Sequence, residues 1–236
     1  MPTFPALHAA IIDLDGTLVD TLGDFEEALS RTLTDAGLPA PTRSLVERSV
    51  GKGSEHLIRT VLAHQLSQQA GPVDAHAAAP ATVDALYPQA WQRYQQHYLQ
   101  INGTFSRVYD GVEEGLAALQ ARGLRLACLT NKPLEFAQPL LQKKGLAGYF
   151  SHVFGGDSFQ RKKPDPLPLQ ETCRALGTAT AHTLMVGDSS NDAQAAHAAG
   201  CPLVLMTYGY NHGEPIRQTP ALAWLDSLAE VSALLV

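Results

Sequence analysis

Cysteine is scarce: Cys128, Cys173 and Cys201 are the only three in 236 residues, and no CxxC spacing joins them. That pattern argues against a disulfide framework or a thiolate zinc centre, so all three are expected as reduced, buried thiols. No apolar run approaches the ~18 residues of a membrane span. The first twelve residues lack a basic start and a small-residue cleavage site, and so do not read as a secretory signal. Positive charge is also in deficit. Seventeen Lys and Arg against 23 Asp and Glu leave a formal charge of -6 and a pI near 5.8. The basic residues are scattered, which gives no footprint for nucleic acid. Nine histidines show no metal-ligand spacing and are read as structural or exposed. These absences lead to the expectation of a cytoplasmic globular protein with no nucleic-acid and no membrane partner.

What the chain does contain is 45% hydrophobic residues, sufficient for one large domain or two modest ones. The run Ala9-Ala10-Ile11-Ile12 reads as a buried strand. From Leu22 the pattern becomes helical: Leu22, Phe25, Leu29 and Leu33 share a face, and Gly37 is placed to end the helix. Thr42 is a candidate cap for a short segment, and Ser54 for a stripe of Leu57, Ile58, Val61, Leu62 and Leu66. Gly71 to Ala81 reads as a loose connector before a fourth helix carrying Val83, Leu86, Ala90, Trp91, Tyr94 and Tyr98. Beyond Val108 helices and short apolar strands alternate: strands at Leu124 to Leu129, His152 to Phe154, Thr183 to Val186 and Leu203 to Met206, with Leu222 to Val236 as a closing helix. This alternation predicts an α/β fold with a doubly wound, Rossmann-like parallel sheet. Residues 1–19 plus 103–236 form its core, and 20–102 an inserted all-helical domain.

An open parallel sheet binds ligands at the carboxyl ends of its strands. Four such ends are polar here. The first strand ends in Asp13-Leu14-Asp15-Gly16-Thr17, the Leu124 strand in Thr130-Asn131, and the Thr183 strand in Gly187-Asp188-Ser189; Lys163 follows the strand ending at Phe154. Two carboxylates two residues apart repel one another in a low-dielectric pocket, which calls for a shared cation or a division of labour. Asp13 and Asp188 offer hard oxygens suited to Mg²⁺. Thr130, Asn131 and Lys163, with nearby backbone N–H groups, are suited to an anion. The combination points to phosphoryl transfer.

In composition and order these motifs resemble those of the haloacid-dehalogenase (HAD) superfamily of aspartate-nucleophile phosphohydrolases. Asp13 to Thr17, Thr130-Asn131, Lys163-Pro164 and Gly187 to Asp192 are similar to its four motifs in turn. The resemblance implies that the helical insertion is a cap. It implies that Asp13 is the nucleophile and Asp15 the general acid and base, with the Asp15 carbonyl joining Asp13 and Asp188 around Mg²⁺. Thr130 and Asn131 would grip phosphate, and Lys163 would offset charge in the transition state. Asp192 would stand behind the metal ligands or hold Lys163. Asp15 also speaks against the dehalogenating branch, which lacks an acid two residues after its nucleophile.

Simpler readings stand beside these. Asp192 is equally a helix cap, Thr17 a turn residue, and Lys163 part of a charge run with Arg161 and Lys162. Val186 to Gly200, Thr130 to Pro133 and Tyr208 to Asn211 are most similar to the phosphoglycolate phosphatase group. A cap favours small phosphorylated metabolites, and the resemblance implies 2-phosphoglycolate as the ester. In the cap, Gly51-Lys52-Gly53 is the candidate specificity loop, and Lys52 either meets a substrate carboxylate or is an ordinary exposed lysine. A phosphomutase or sugar-phosphate phosphatase on the same scaffold is the enzymatic alternative. A non-enzymatic phospho-receiver domain is the other, and the insertion and Asp15 weigh against it. The assembly is expected to be a monomer or homodimer.

Overall fold

The computed structural model describes residues 6–74 and 79–234. In chain order, β1 (Ala9–Ile12) and the two-residue β2 (Val19–Asp20) lead into four helices, α1 (Leu22–Asp35), α2 (Arg43–Ser49), α3 (Ser54–Asp74) and α4 (Ala79–Ile101). The chain returns through β3 (Arg107–Val108), followed by α5 (Val112–Ala121), β4 (Arg125–Leu129), α6 (Leu134–Lys143) and β5 (His152–Phe154). Then come α7 (Leu167–Leu176), β6 (Thr183–Gly187), α8 (Ser190–Ala199), β7 (Leu203–Met206) and β8 (Ala223–Leu225). Six strands form one parallel sheet in the order β5-β4-β1-β6-β7-β8.

β1 is central, which explains its unbroken apolar sequence. Alternate residues serve opposite layers: Ala10 and Ile12 pack with Val112, Leu116, Leu140 and Leu141, whereas Ala9 and Ile11 pack with Leu169, Cys173, Ala193 and Ala196. The sheet is therefore covered by α5 and α6 on one face and by α7 and α8 on the other. Its strand order reverses beside β1, so the carboxyl end of β1 opens onto the crevice.

The insertion has its own core, in which Phe25, Leu29, Leu33, Ile58, Leu62, Tyr94 and Tyr98 are buried together. Two residues from the α/β half, Phe136 and Tyr210, join that core and bind the halves to one another. Thr42 caps α2 as expected, its Oγ1 accepting from Leu45 N at 3.3 Å. The junctions are also paired. Val19 lies opposite Val108 in an antiparallel two-stranded ladder. Asp24, fully buried on α1, accepts from the main-chain N–H groups of Gly103 at 2.8 Å and Phe105 at 2.7 Å.

Three expectations need correction. Most of the Gly71 to Ala81 stretch is helical, α3 running to Asp74 and α4 starting at Ala79; residues 75–78 lie outside the described set. Pro80 falls in the first turn of α4, where a missing N–H breaks no intrahelical bond. The expected closing helix is replaced by strand β8, which extends the sheet edge, and a 3₁₀ segment over Leu228–Leu234. Leu228 and Val231 are buried three residues apart, the repeat of a 3₁₀ turn. Ser54 is the first residue of α3 rather than the cap before it. The three cysteines are buried free thiols, as expected.

Candidate active site

The end of β1 delivers Asp13 to the rim, and a tight turn then redirects Asp15. Asp13 N still bonds to Val186 O in the sheet at 3.0 Å, while Gly16 N bonds to Val19 O at 3.0 Å to close the turn. Gly16 has φ +84°, and a Cβ on it would lie 2.3 Å from Asp188 Oδ2, so conformation and space both call for glycine. The two carboxylates consequently meet different lysines. Asp13 Oδ1 is 3.0 Å from Lys163 Nζ, and Asp15 Oδ1 is 2.9 Å from Lys132 Nζ.

Asp13, Asp188 and Asp192, all buried, each present a carboxylate oxygen, and these oxygens lie within 4.8 Å of one another. Burial first, and then Asp192, push the Asp13 carboxyl up to about 7 against the opposing pull of Lys163. Burial also drives Asp188 well above the usual carboxylate range, helped by Asp192 and Asp13. Burial acts to lower Lys163, but Asp13 and Asp192 outweigh it and hold its ammonium above the ordinary lysine value. Such a hard-oxygen cluster, short of positive charge, fits a divalent cation such as Mg²⁺.

Asp188 is held from three sides. Thr17 Oγ1 donates to its Oδ1 at 2.6 Å, Tyr210 N donates to its Oδ2 at 2.7 Å, and Gly209 packs against it so closely that a Cβ there would fall 2.2 Å from Oδ2. Thr17 is thus more than a turn residue. Asp192 fulfils both readings given to it: its Oδ2 accepts from Ser189 N at 3.1 Å and Ser189 Oγ at 2.7 Å in a capping box, and its Oδ1 accepts from Lys163 at 2.7 Å. Lys163 is 2% exposed, so it is not a solvated member of a charge run.

Asp13, Asp15, Thr130 and Asn131 line one crevice with Lys132 and the cap residues Phe25, Val50, Gly51, Gly53, Ser54 and Leu57. The Asn131 amide donates to Gly51 O at 2.9 Å and to Lys163 O at 2.8 Å, so its side chain braces the cap loop and the Lys163 loop. Asn191 also donates to Gly51 O, at 3.1 Å. Lys52 is exposed, and the glycines beside it, not its own side chain, face the crevice.

Lys132, Thr17 and Tyr210 lie within the motifs read from the sequence, but the sequence alone assigns none of them a part in the site. Lys132 carried a usable signal, since it directly follows Thr130-Asn131 and precedes a proline as Lys163 does. The bonds of Thr17 and Tyr210 to Asp188 span 171 and 22 residues and have no local signature.

A doubly wound parallel sheet, an inserted helical cap and a carboxylate-lysine rim between them define a capped α/β hydrolase. Residues 7–200 match the pattern of the haloacid dehalogenase-like hydrolases, and the chain belongs to that family. It is 41% identical over 235 residues to a phosphoglycolate phosphatase of Thiobacillus denitrificans, an alignment covering 99% of this chain and 98% of that one. It is 42% identical over 227 residues to a plasmid-borne protein of that name from Cupriavidus necator, covering 96% and 92%. Among solved structures, a predicted phosphoglycolate phosphatase from Haemophilus somnus superposes with a TM-score of 0.89 at 33% identity, covering 98% of both chains. The chain is accordingly most like the phosphoglycolate phosphatase group. No helix among the described residues is long and apolar enough to cross a membrane.

Proposed function

We propose that this hydrolase is a Mg²⁺-dependent phosphatase of small phosphate monoesters, with 2-phosphoglycolate as substrate, working through an aspartyl phosphate on Asp13. The observation that carries the reading is the different surroundings of the two carboxylates at the rim: Asp13 sits with Lys163 and the Asp188 cluster, and Asp15 lies beside Lys132 in the crevice under the cap.

Asp13 and Asp188, with the Asp15 carbonyl, would hold Mg²⁺, which when bound neutralises phosphate charge and the crowded carboxylates. A carboxylate oxygen of Asp13 attacks phosphorus, and the bond from phosphorus to the ester oxygen breaks. Protonated Asp15 donates its proton to that leaving oxygen. Asp15, now a carboxylate, takes a proton from water as the water attacks the aspartyl phosphate, releasing inorganic phosphate and restoring Asp13. Lys163 holds Asp13 and balances charge near the phosphoryl oxygens; Thr130 and the backbone at Asn131 provide donors to them. Asp192 holds Lys163 in place. The cap, taken as residues 20–102 on a core of 1–19 and 103–236, excludes water and macromolecules, and the loop that carries the exposed Lys52 closes one side of the crevice through Gly51 and Gly53.

The test is phosphate release from a panel of small esters, in Mg²⁺ and in chelator. Turnover is expected only with metal. Asp13→Asn is expected to lose roughly 10⁴-fold or more, and Asp15→Asn about 10²–10⁴-fold on alkyl phosphates. Metal-independent turnover or an active Asp13→Asn enzyme would falsify the mechanism, and a sugar phosphate far above 2-phosphoglycolate would remove the substrate assignment alone.

A further inference from the structure

Lys132 is an unusual lysine. Its side chain is 1% exposed, its Nζ lies 4.3 Å from the ring centroid of Phe25 and 4.8 Å from that of Tyr98, and both rings belong to the cap. An ammonium has three donors, and among the described residues Asp15 is the one hydrogen-bond acceptor that the Lys132 Nζ meets. Beside it stands Tyr94, fully buried and stacked on Tyr98 at 5.4 Å, whose hydroxyl lies near Ser54 and forms no well-aligned hydrogen bond among the described residues. Burying a polar group without a full partner is costly, and this hydroxyl, behind the crevice wall at Ser54, is available to a ligand. The third element is the start of α3. The Gly51 carbonyl is anchored to the core by Asn131 and Asn191, and Ser54 and Leu57 of the first turn face the crevice. The N-terminus of this 21-residue helix therefore adds a partial positive charge on the same side.

We propose that Lys132, the Tyr94 hydroxyl and the first turn of α3 form a carboxylate-binding subsite that selects esters carrying a carboxylate close to the scissile oxygen. The inference rests on the phosphatase reading above and deepens it. In 2-phosphoglycolate one methylene separates the ester oxygen from the carboxylate. Asp15, which would protonate that oxygen, is already the hydrogen-bonded neighbour of Lys132, so a group just beyond the oxygen arrives at the ammonium. The aromatic walls exclude water and strengthen the charge pairing. Exposed Lys52 lacks such surroundings and is the rival cation.

The experiment compares kcat and KM for 2-phosphoglycolate and ethyl phosphate in the wild type, Lys132→Met, Tyr94→Phe and Lys52→Ala, with Mg²⁺ present and folding checked by circular dichroism. Lys132→Met is expected to reduce the 2-phosphoglycolate to ethyl phosphate ratio of kcat/KM by about 30-fold or more, chiefly through KM. If Lys132 served only to position Asp15, kcat would fall equally for both esters and the ratio would hold, overturning the proposal. Collapse of the ratio in Lys52→Ala but not in Lys132→Met overturns it as well. Should Lys132→Met fail to fold, Tyr94→Phe decides: a several-fold drop in the ratio supports the subsite, and an unchanged ratio removes it. A wild type with no preference for 2-phosphoglycolate defeats the parent substrate reading and this one together, whereas a preference that survives in Lys132→Met defeats this one alone.

Discussion

Lys163 and Asp192 form a 2.7 Å ion pair in which the side chains are 2% and 0% exposed, and Asp13 approaches the same ammonium at 3.0 Å. One cation thus serves two buried carboxylates, and removing it leaves both unpaired. Breaking such a pair costs about 3–5 kcal/mol. Lys163→Met is expected to lower the unfolding free energy by that order, measured by urea denaturation. Adding Asp192→Asn should recover part of the stability and none of the phosphatase activity. Additive losses in the double variant would argue against the coupling.

Stability should fall with pH more steeply without metal than with it. Asp13, raised to about 7, and Asp188, also raised well above the usual carboxylate range by burial, bind protons in the metal-free folded state that the unfolded chain releases near pH 4. The folded state therefore holds more protons over this window, and the contribution of these groups to stability falls as pH rises from about 4 through about 7. Tm in chelator is expected to decline towards alkaline pH more steeply than in Mg²⁺, and Asp188→Asn should flatten the difference. Parallel curves in chelator and Mg²⁺ would contradict this account.

Gly209 leaves room for one orientation of Asp188. A Cβ there would sit 2.2 Å from Oδ2 and 2.3 Å from the Asp188 Cβ, so Gly209→Ala must displace the carboxylate or the loop. Overpacking of this kind costs about 1–3 kcal/mol. The expected result is a modest loss of Tm and a larger rise, about tenfold or more by the same energy range, in the Mg²⁺ concentration for half-maximal rate. Unchanged metal dependence would separate Asp188 from the cation.

Asp24 holds the returning chain by two main-chain bonds, from Gly103 and Phe105. Asp24→Ala strands those donors at about 1–3 kcal/mol for an unsatisfied group. Faster hydrogen exchange at these two amides, ahead of those in β1, is the expected signature. Exchange that is unaltered at both positions would show that other groups hold the junction.

Features written within a single window were legible in the sequence. Ile11 and Ile12 mark the central strand because burial on both faces allows no polar alternation, and the stripe of Leu22, Phe25, Leu29 and Leu33 marks α1 because one face packs inward. Asp13, Asp15 and Asp188 stood out because charged residues directly after apolar strands have no packing explanation. The C-terminal strand did not, since Ala223–Leu225 is too short to reveal a period and earns its pairing from β7. The Gly71 to Ala81 stretch misled through its prolines, one of which occupies a helix's first turn. Thr17 is defined by a partner 171 residues away, which no local pattern encodes, and Lys132, though marked by its place directly after Thr130-Asn131, takes its contact from Asp15, 117 residues away.

The ladder that sets Val19 against Val108 brings the two ends of the insertion side by side. Topologically, the helices then hang from the sheet domain like a side loop closed at its neck. The neck spans a single pair of short strands, so a compact turn joining them would leave the parallel sheet's connectivity intact. That geometry makes the helical unit modular: it can be exchanged, lengthened or reshaped at one point of attachment while the strand that carries Asp13 keeps its neighbours and its register.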